Sequence, residues 1–546
     1  MRQTALSPLH HLVLVALLAA PSPSPAAAQV RNPDPARATD PANGPAREWW
    51  AHVTFLADDR LLGRGTGSAG HKEAAAYVAD AFRRAGLRPG GTDGYLQPVR
   101  FRVRRIVEEQ SSLALVRNGT VEPLVLGEDA TLGIRGDPAA QLEAPLVFLG
   151  YGLVAPEVGH DDLAGIDLRG KVAVMVGGGP SSLTGPLQAH HQSVRWANLR
   201  RAGAVGLVVV PNPRGSDIPW ARSALSRFNP VMMLADTALD DTRGQQLSVT
   251  FNAARAEKLF AGSGHTLAEL LALADSGKKL PTFALPASIR AAVRVESREL
   301  TSDNVVGILP GSDPALRGEY VVMTAHLDHL GVGRPIDGDS IYNGAMDNGA
   351  GTATLLETAR GASAPGRRFA RSVIFLAVTA EESGLLGSRY FAAHPTVPAG
   401  AIVANVNTDM FLPLFPLRGV IANGLEESDM ADDLRRVAEP LGLRVLSDPE
   451  PERNAFVRSD QYSFIRRGVP ALSLKAGFER NSPEHEIVKR FRTDRYHAPA
   501  DDLQQDVNLQ AAADFNRLAL DLVQAVANRP ARPRWNADSF FRRFAE

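Results

Sequence analysis

The stretch FLAVTAEESGLLGS, residues 375–388, joins an apolar segment to two adjacent carboxylates, Glu381 and Glu382. The apolar run has the length of a buried strand, and the glycines after it indicate a turn into the next element. The two glutamates therefore stand at the end of a predicted strand. Two like charges side by side repel each other, and burying either one without a partner costs free energy. Their placement needs a functional explanation.

Predicted strands and helices alternate on both sides of this stretch. The predicted strands are residues 304–311, 319–328, 371–382, 401–410 and 468–475, and the predicted helices are residues 349–362, 383–395 and 508–528. This alternation predicts an α/β fold, with a mostly parallel mixed sheet flanked by helices on both faces. Ligands of such sheets bind beyond the carboxyl ends of the strands.

Polar side chains occupy five positions at or near those strand ends. They are His326, Asp347, the Glu381–Glu382 pair, Asp409 and His497. Each has an ordinary explanation when taken alone, since an aspartate before a helix, for example, is usually an N-cap. Taken together, they predict a site that encloses two cations about 3.5 Å apart.

A metal site that hydrolyses its substrate also explains the paired glutamates. Such a site needs one carboxylate as a ligand and a second group that takes the proton from water. Adjacent residues that leave a strand point in different directions, so that one can bind a cation while the other reaches the water. The positive charge of the cations offsets the repulsion between the two carboxylates.

The composition narrows the class of protein. The chain has 546 residues, of which 44% are hydrophobic and 22% charged, and its formal net charge is −1. These values are typical of a soluble protein of two or three domains and do not favour binding to nucleic acid or to a membrane surface. The chain has no cysteine, which excludes disulfides and leaves His, Asp and Glu as metal ligands. The sequence sets no oligomeric state.

The first 28 residues have the features of a signal peptide. The apolar segment LVLVALLAA, residues 12–20, is shorter than a membrane-spanning helix, and small residues follow it up to Ala28. We expect cleavage near Ala28, export to the periplasm or the medium, and no stable membrane anchor. An uncleaved anchor is the alternative. Residues 29–46, rich in Pro, Asn, Asp and Ala, are predicted to form a flexible leader.

The rest of the chain divides into four predicted segments. Residues 47–130 and 291–528 are expected to form two parts of one catalytic domain, and residues 529–546 a C-terminal tail. Residues 131–290 are expected to form a β-rich insert, because short apolar strands recur there with a helix between two of them.

Five motifs carry a resemblance to a known family. HLDHLG, GAMDNGAGTATLLE, FLAVTAEESGLLGS, NVNTDM and RYHAPADD resemble the motif series of M28, a family of co-catalytic zinc peptidases that contains aminopeptidases and glutamate-carboxypeptidase-like enzymes. The middle of the chain is similar to the protease-associated (PA) domain inserted in many members. The resemblance covers nearly all of residues 48–528 and implies the zinc-peptidase (phosphorylase/hydrolase-like) fold.

The resemblance assigns a metal-binding role to five residues. It implies two Zn²⁺ ions per chain. His326 and Asp409 are expected to bind one ion, and Glu382 and His497 the other. Asp347 is expected to bridge the two ions.

The resemblance also assigns roles around the metals. Glu381 is expected to be the general base, and Tyr496 to stabilise the tetrahedral oxyanion. The carboxylate of Asp328 is expected to orient His326, and Asp501 to orient His497. The peptide bond between Asp347 and Asn348 is expected to be cis.

A further aspartate, Asp460, has two interpretations. It either stabilises the geometry of the site or caps the helix that follows it.

The expected function is that of an exported di-zinc aminopeptidase acting on peptides. A carboxypeptidase or dipeptidase is an alternative, with Arg458 or Arg495 receiving the terminal carboxylate. A glutaminyl-cyclase-like transferase with one zinc and a binding module without activity are others. The related M20 peptidases carry a lid domain before the last histidine, whereas the segment between Glu382 and His497 here is predicted to contain strands of the catalytic domain.

Overall fold

The computed structural model describes residues 44–183, 185–213 and 219–546. The predicted signal peptide, residues 1–28, and most of the predicted leader lie outside the described residues. Within the described ranges, no helix is both long enough and apolar enough to cross a membrane.

Helices and strands alternate along most of the chain. The α-helices are α1 (Gly44–Leu56), α2 (Ala69–Arg84), α3 (Gly185–Arg201), α4 (Trp220–Ser223), α5 (Glu257–Phe260), α6 (Leu267–Asp275), α7 (Ala350–Ala362), α8 (Leu386–Ala393), α9 (Met430–Ala438), α10 (Gln461–Ile465), α11 (Pro483–Asp494) and α12 (Leu509–Ala527). The strands are β1 (Arg88–Pro89), β2 (Leu96–Ile106), β3 (Ser112–Arg117), β4 (Thr120–Leu124), β5 (Ala130–Gly133), β6 (Gln141–Leu149), β7 (Val154–Ala155), β8 (His160–Asp161), β9 (Val172–Val176), β10 (Gly206–Val210), β11 (Val231–Leu234), β12 (Leu247–Phe251), β13 (Thr282–Ala292), β14 (Val295–Leu309), β15 (Tyr320–His326), β16 (Gly331–Ile336), β17 (Asp339–Tyr342), β18 (Ser372–Val378), β19 (Ile402–Thr408), β20 (Gly419–Asn423), β21 (Arg444–Leu446) and β22 (Ala471–Ala476).

The main sheet has the order β11-β2-β14-β18-β15-β19-β22-β20-β21, and β1 also pairs with β14. Its centre is parallel, since β18, β15, β19 and β22 run in the same direction. Antiparallel pairs flank this centre, with β2 and β14 on one side and β20 on the other. The mixed α/β fold expected from the sequence is confirmed.

The central strands are apolar because helices cover both faces of the sheet. Every residue of β18 is buried. Its alternate side chains point to opposite faces. Phe375 joins the cluster formed with helices α1, α2, α7 and α12. The next residue, Leu376, joins a smaller cluster with Phe391 of α8 and Phe464 of α10. A strand in this position needs a continuous apolar run, which is the pattern the sequence showed.

A second sheet has its own apolar core. Its order is β4-β3-β13-β6-β9-β10-β12-β5. Phe148, Val174, Phe251 and Ile289 are buried in a cluster distinct from that of the main sheet. Helix α3 connects β9 to β10 and packs Trp196 on the other face of this sheet.

The second sheet starts earlier than the boundary expected at residue 131. Strands β3 and β4 form a hairpin that pairs with β13, so the sheet runs from Ser112 to Ala292. Pairing across such a distance in sequence is decided by tertiary contacts. One strand of the expected insert, β11, pairs with β2 at the edge of the main sheet instead. The assignment of the insert as a PA domain stays a prediction.

Replacing Phe375 by alanine tests the packing of the central strand. The side chain is 0% exposed, and removing a buried phenylalanine costs about 3–5 kcal/mol of the free energy of unfolding. We expect Phe375→Ala to lower the thermal midpoint by several degrees. Val332→Ala is the control, because Val332 is 58% exposed. Equal midpoints for the two variants, measured by circular dichroism, would contradict the packing.

Candidate metal centre

Three parallel strands end at the same edge of the main sheet. His326 is the last residue of β15, Glu381 and Glu382 follow the end of β18, and Asp409 follows the end of β19 directly. Because β15 pairs in parallel with both of its neighbours, these side chains emerge together. The edge of the sheet therefore collects four of the predicted functional residues.

Asp347 lies between two pairs of side chains. His326 Nε2 is 3.2 Å from Asp347 Oδ1 and 3.4 Å from Asp409 Oδ1. His497 Nε2 is 3.3 Å from Asp347 Oδ2 and 3.1 Å from Glu382 Oε2. Each oxygen of Asp347 thus faces a separate histidine–carboxylate pair, and all five predicted ligands meet in one cluster.

Strained backbone surrounds the cluster. His497 has a φ of 56°, and Ala380 and Met410, which neighbour the ligands from β18 and β19, have φ values of 55° and 52°. A non-glycine residue in this left-handed region costs about 1–3 kcal/mol and persists where the surrounding structure enforces it. Such outliers cluster at functional sites.

The loop that carries Asp347 is held by a buried aspartate. The peptide bond between Asp347 and Asn348 is cis, as expected. The carboxylate of Asp501 accepts the N–H of Met346, with its two oxygens at 3.0 and 3.1 Å, and the N–H of Asp347 at 3.0 Å. The expected contact from Asp501 to His497 is therefore replaced by contacts to the backbone of this loop. Its carboxylate points towards N–H groups that would otherwise be buried without a partner.

Asp328 contacts His326 in a different way from the one expected. The ring Nδ1 of His326 is 3.1 Å from the backbone oxygen of Asp328. The carboxylate of Asp328 accepts hydrogen bonds from the backbone N–H of Glu381 at 3.0 Å and from the hydroxyl of Thr66 at 3.1 Å. The side chain points to the end of β18, so the carbonyl is the group that orients the histidine. Since a carbonyl only accepts, Nδ1 carries a proton, and Nε2 is the ring atom that faces the cluster.

Sequence reasoning missed His329. This histidine is 2% exposed, and its Nδ1 is 2.8 Å from Glu382 Oε1. It fixes one oxygen of Glu382 while the other faces His497. The available signal was the second histidine of HLDHLG, three residues after the first.

Sequence reasoning also missed Arg64, which is 1% exposed. Its guanidinium donates to the backbone oxygens of Leu327 at 2.9 Å, Asn343 at 2.6 Å and Gly344 at 2.9 Å. It also donates to the backbone oxygen of Leu56. Arg64 therefore ties the end of β15 to the loop that carries Asp347. Burial lowers the pKa of Arg64 to about 10, which leaves the group charged at neutral pH.

Glu381 and Tyr496 lie next to the cluster. Loss of hydration raises the pKa of Glu381, the charge of His326 opposes this shift, and the charges of Glu382, Asp460 and Asp409 add to it. The ring of Tyr496 stacks on His497 with centroids 3.8 Å apart. Loss of hydration, reinforced by the nearby carboxylates, raises the pKa of Tyr496, so that its hydroxyl keeps its proton.

The site concentrates negative charge in a largely buried place. Six carboxyl groups gather there, from Asp328, Asp347, Glu381, Glu382, Asp409 and Asp460. Burial raises the pKa of Asp328 to about 6 and that of Asp460 to about 7. Burial alone would lower the pKa of His497, but its contacts with Asp347 and Glu382 raise it to about 10. Such a field favours bound cations.

A capping hydrogen bond distinguishes the two interpretations of Asp460. Asp460 directly precedes α10, but its side chain makes no capping hydrogen bond to that helix. Its position close to the cluster favours a role in the electrostatics of the site.

Replacing Arg64 tests whether it positions the cluster. Groups that hold metal ligands in place typically account for about 10- to 100-fold in metal affinity. We expect Arg64→Met to weaken Zn²⁺ binding by that factor, measured by competition with a chelating dye, and Arg64→Lys to have a smaller effect. Arg60→Met is the control, since that side chain is 52% exposed. Wild-type affinity in a folded Arg64→Met variant would contradict the positioning role.

Comparisons with known proteins found similarity in the same part of the chain. Residues 304–523 match the model of peptidase family M28. Leucine aminopeptidase 1 of Trichophyton equinum is 31% identical over 182 residues, which cover 31% of this chain and 46% of that protein. Aminopeptidase YwaD of Bacillus subtilis is 29% identical over 222 residues, which cover 39% of this chain and 43% of that protein. The chain thus spans less than half the length of these relatives.

A solved structure is similar in fold over a larger part of the chain. The aminopeptidase from Aneurinibacillus sp. strain AM-1 has a TM-score of 0.50 and 20% identity, covering 89% of this chain and 95% of that chain. At this identity the likeness shows the fold alone. The family match, by contrast, includes all five residues that meet around Asp347. Residues 304–523 of this chain are therefore similar to peptidase family M28.

Proposed function

We propose that this chain is a di-zinc aminopeptidase that releases N-terminal residues from peptides. The observation that carries the proposal is the position of Asp347, whose two oxygens face separate histidine–carboxylate pairs. A carboxylate in that position can bridge two cations. The names of the two curated relatives, both aminopeptidases, support the same activity.

The donor set fits zinc. It consists of two imidazole nitrogens and three carboxylates, which are ligands that Zn²⁺ accepts at catalytic sites. Ligand atoms of His326, Asp347 and Glu382 lie within 4.8 Å of one another. We assign His326 and Asp409 to one ion, Glu382 and His497 to the other, and Asp347 to both. The ordering of His326 by the Asp328 carbonyl and of Glu382 by His329 supports these roles.

The reaction follows from the groups around the metals. Zinc ions, when bound, supply Lewis acidity that polarises the peptide carbonyl and lowers the pKa of water. Glu381 takes a proton from the attacking water and returns it to the leaving amine. The hydrogen bond from its N–H to Asp328 holds its backbone at the end of β18. Tyr496, which keeps its proton, donates a hydrogen bond to the developing oxyanion.

The charge of the site favours substrates with a free α-amino group. An ammonium group needs an anionic receiver near the scissile bond, and several carboxylates surround this site. The apolar segment at residues 12–20 supports export of the enzyme. We assign the sheet at residues 112–292 to a PA-like insert that shapes access to the site.

Removing the metal tests the proposal directly. We expect dialysis against 1,10-phenanthroline to abolish hydrolysis of leucine p-nitroanilide, because Glu381 alone cannot activate water enough. Added Zn²⁺ should restore activity, with about two ions bound per chain by elemental analysis. Activity that resists the chelator would overturn the metal mechanism, and full activity with one ion would overturn the paired site.

Replacing Glu381 separates the base from the ligands. General-base catalysis contributes about 100- to 10,000-fold, so we expect Glu381→Gln to lower kcat by that factor. Its zinc content should stay equal to that of the wild type, because Glu381 is not assigned as a ligand. Glu439→Gln, at an exposed position, is the control and should keep full activity. Loss of zinc from Glu381→Gln would show that Glu381 binds the metal instead.

A further inference from the structure

A cavity opens directly beside the candidate metal centre. Asp409, an assigned ligand, and Tyr496 both line it. The other charged residues in its lining are Asp448, Glu450, Arg453, Arg458, Lys475 and Arg492. A group attached to a peptide at the metal centre therefore has space to enter this cavity.

Two of the charged residues in the cavity neutralise each other. Arg492 holds Glu450 with both nitrogens, at 3.1 Å to Oε1 and 2.5 Å to Oε2. His485 Nε2 lies 3.2 Å from the same carboxylate. The charge of Glu450 is thus satisfied inside the protein and is not available to a ligand.

Three further cations have no anionic partner of this kind. Within the part of the chain that the structure describes, Lys475, Arg453 and Arg458 form no ion pair within 4.0 Å. The only side-chain hydrogen bond among them runs from Arg458 Nη1 to the backbone oxygen of Arg453 at 3.4 Å. Lys475 is half-buried on β22, opposite Ile421 of β20. Burying an ammonium group without an ion-pair partner costs free energy. The pocket therefore favours a ligand that carries negative charge.

Asp409 and Asp448 also line the cavity and interact electrostatically with Lys475, but neither forms a direct ion pair with it. Asp409 is assigned to the metal. Asp448 accepts the backbone N–H of Glu450 at 2.8 Å, and burial raises its pKa. Apolar side chains, including Phe478 and Val488, complete the wall beside half-buried Lys475, whereas Arg453 and Arg458 are exposed.

We propose that this pocket binds a carboxylate of the peptide substrate through Lys475, Arg453 and Arg458, so that the enzyme prefers acidic peptides. The carboxylate comes either from an acidic N-terminal side chain or from the C-terminus of a short peptide. Guanidinium groups bind carboxylates with two parallel hydrogen bonds, and the ammonium group adds a third cationic donor. The inference rests on the proposed function, since it requires the peptide bond to lie at the metal centre.

Four dipeptides distinguish the two sources in the purified zinc-loaded enzyme. Glu-Ala-NH₂ against Gln-Ala-NH₂ isolates the side-chain carboxylate, and Ala-Ala against Ala-Ala-NH₂ isolates the terminal one. A hydrogen-bonded charge of this kind corresponds to a preference of about 10- to 100-fold in kcat/KM. We expect one of the two pairs to show that preference, mainly through KM.

The variant Lys475→Met removes one cation while keeping the length of the side chain. We expect it to lose about tenfold in kcat/KM on the preferred carboxylate substrate and to stay within about twofold on its uncharged partner. Arg453→Met should act in the same direction. Lys279→Met is the matched control, because Lys279 is exposed. It should leave kcat/KM unchanged on both the carboxylate substrate and its uncharged partner. Zinc content, measured for each variant, separates substrate binding from any effect on Asp409.

The outcomes separate the inference from the proposed function. If both members of each pair are hydrolysed at equal rates, the proposed carboxylate pocket is contradicted, but the proposed aminopeptidase activity still stands. A preference that survives in both Lys475→Met and Arg453→Met would also overturn it. Failure to cleave any of the four peptides would remove the proposed function and the inference with it.

Discussion

The contact of Asp347 with two histidines organises the site. One carboxylate oxygen faces His326 and the other faces His497, and these residues come from opposite ends of the catalytic segment. Negative charge from six carboxyl groups gathers around this bridge. Burial, with a smaller contribution from the neighbouring carboxylates, favours the protonated form of some of these groups, as the raised pKa values of Asp328 and Asp460 indicate. The paired glutamates at the end of β18 make physical sense as one ligand and one base in a field that bound cations neutralise.

Neutral backbone groups and buried polar side chains hold this charge in place. Asp501 holds two N–H groups of the loop that carries Asp347, and the Asp328 carbonyl sets the tautomer of His326. Arg64 binds the backbone oxygens of three separate segments near the cluster. These contacts hold the proposed ligands in place, which would reduce the reorganisation that metal binding requires. The pocket proposed to bind a substrate carboxylate lies next to the same cluster, with Asp409 and Tyr496 in its lining.

The fold was predictable where local pattern decides structure. Strands β15, β18, β19 and β22 were expected from apolar runs, and helices α7 and α12 from their spacing. The start of the second sheet could not be predicted, because the hairpin of β3 and β4 pairs with β13, which lies far along the chain. The pairing of β11 with the main sheet was missed for the same reason. Hydrophobic periodicity reports which residues are buried, but it does not report which strand lies beside which.

The sequence by itself determined the chemical types of the site and their position at strand ends. His326, Glu382 and Asp409 were identified because a parallel sheet brings the ends of its strands to one edge, and Asp347 and His497 were identified in loops of the same segment. Only the tertiary structure decided the contacts that orient them. The roles of Arg64, His329 and Asp501, and the absence of a direct ion pair at Lys475 among the described residues, depend on distances between residues far apart in sequence. Local preference fixes the elements of this chain, whereas side-chain hydrogen bonding and charge pairing are properties of the packed molecule.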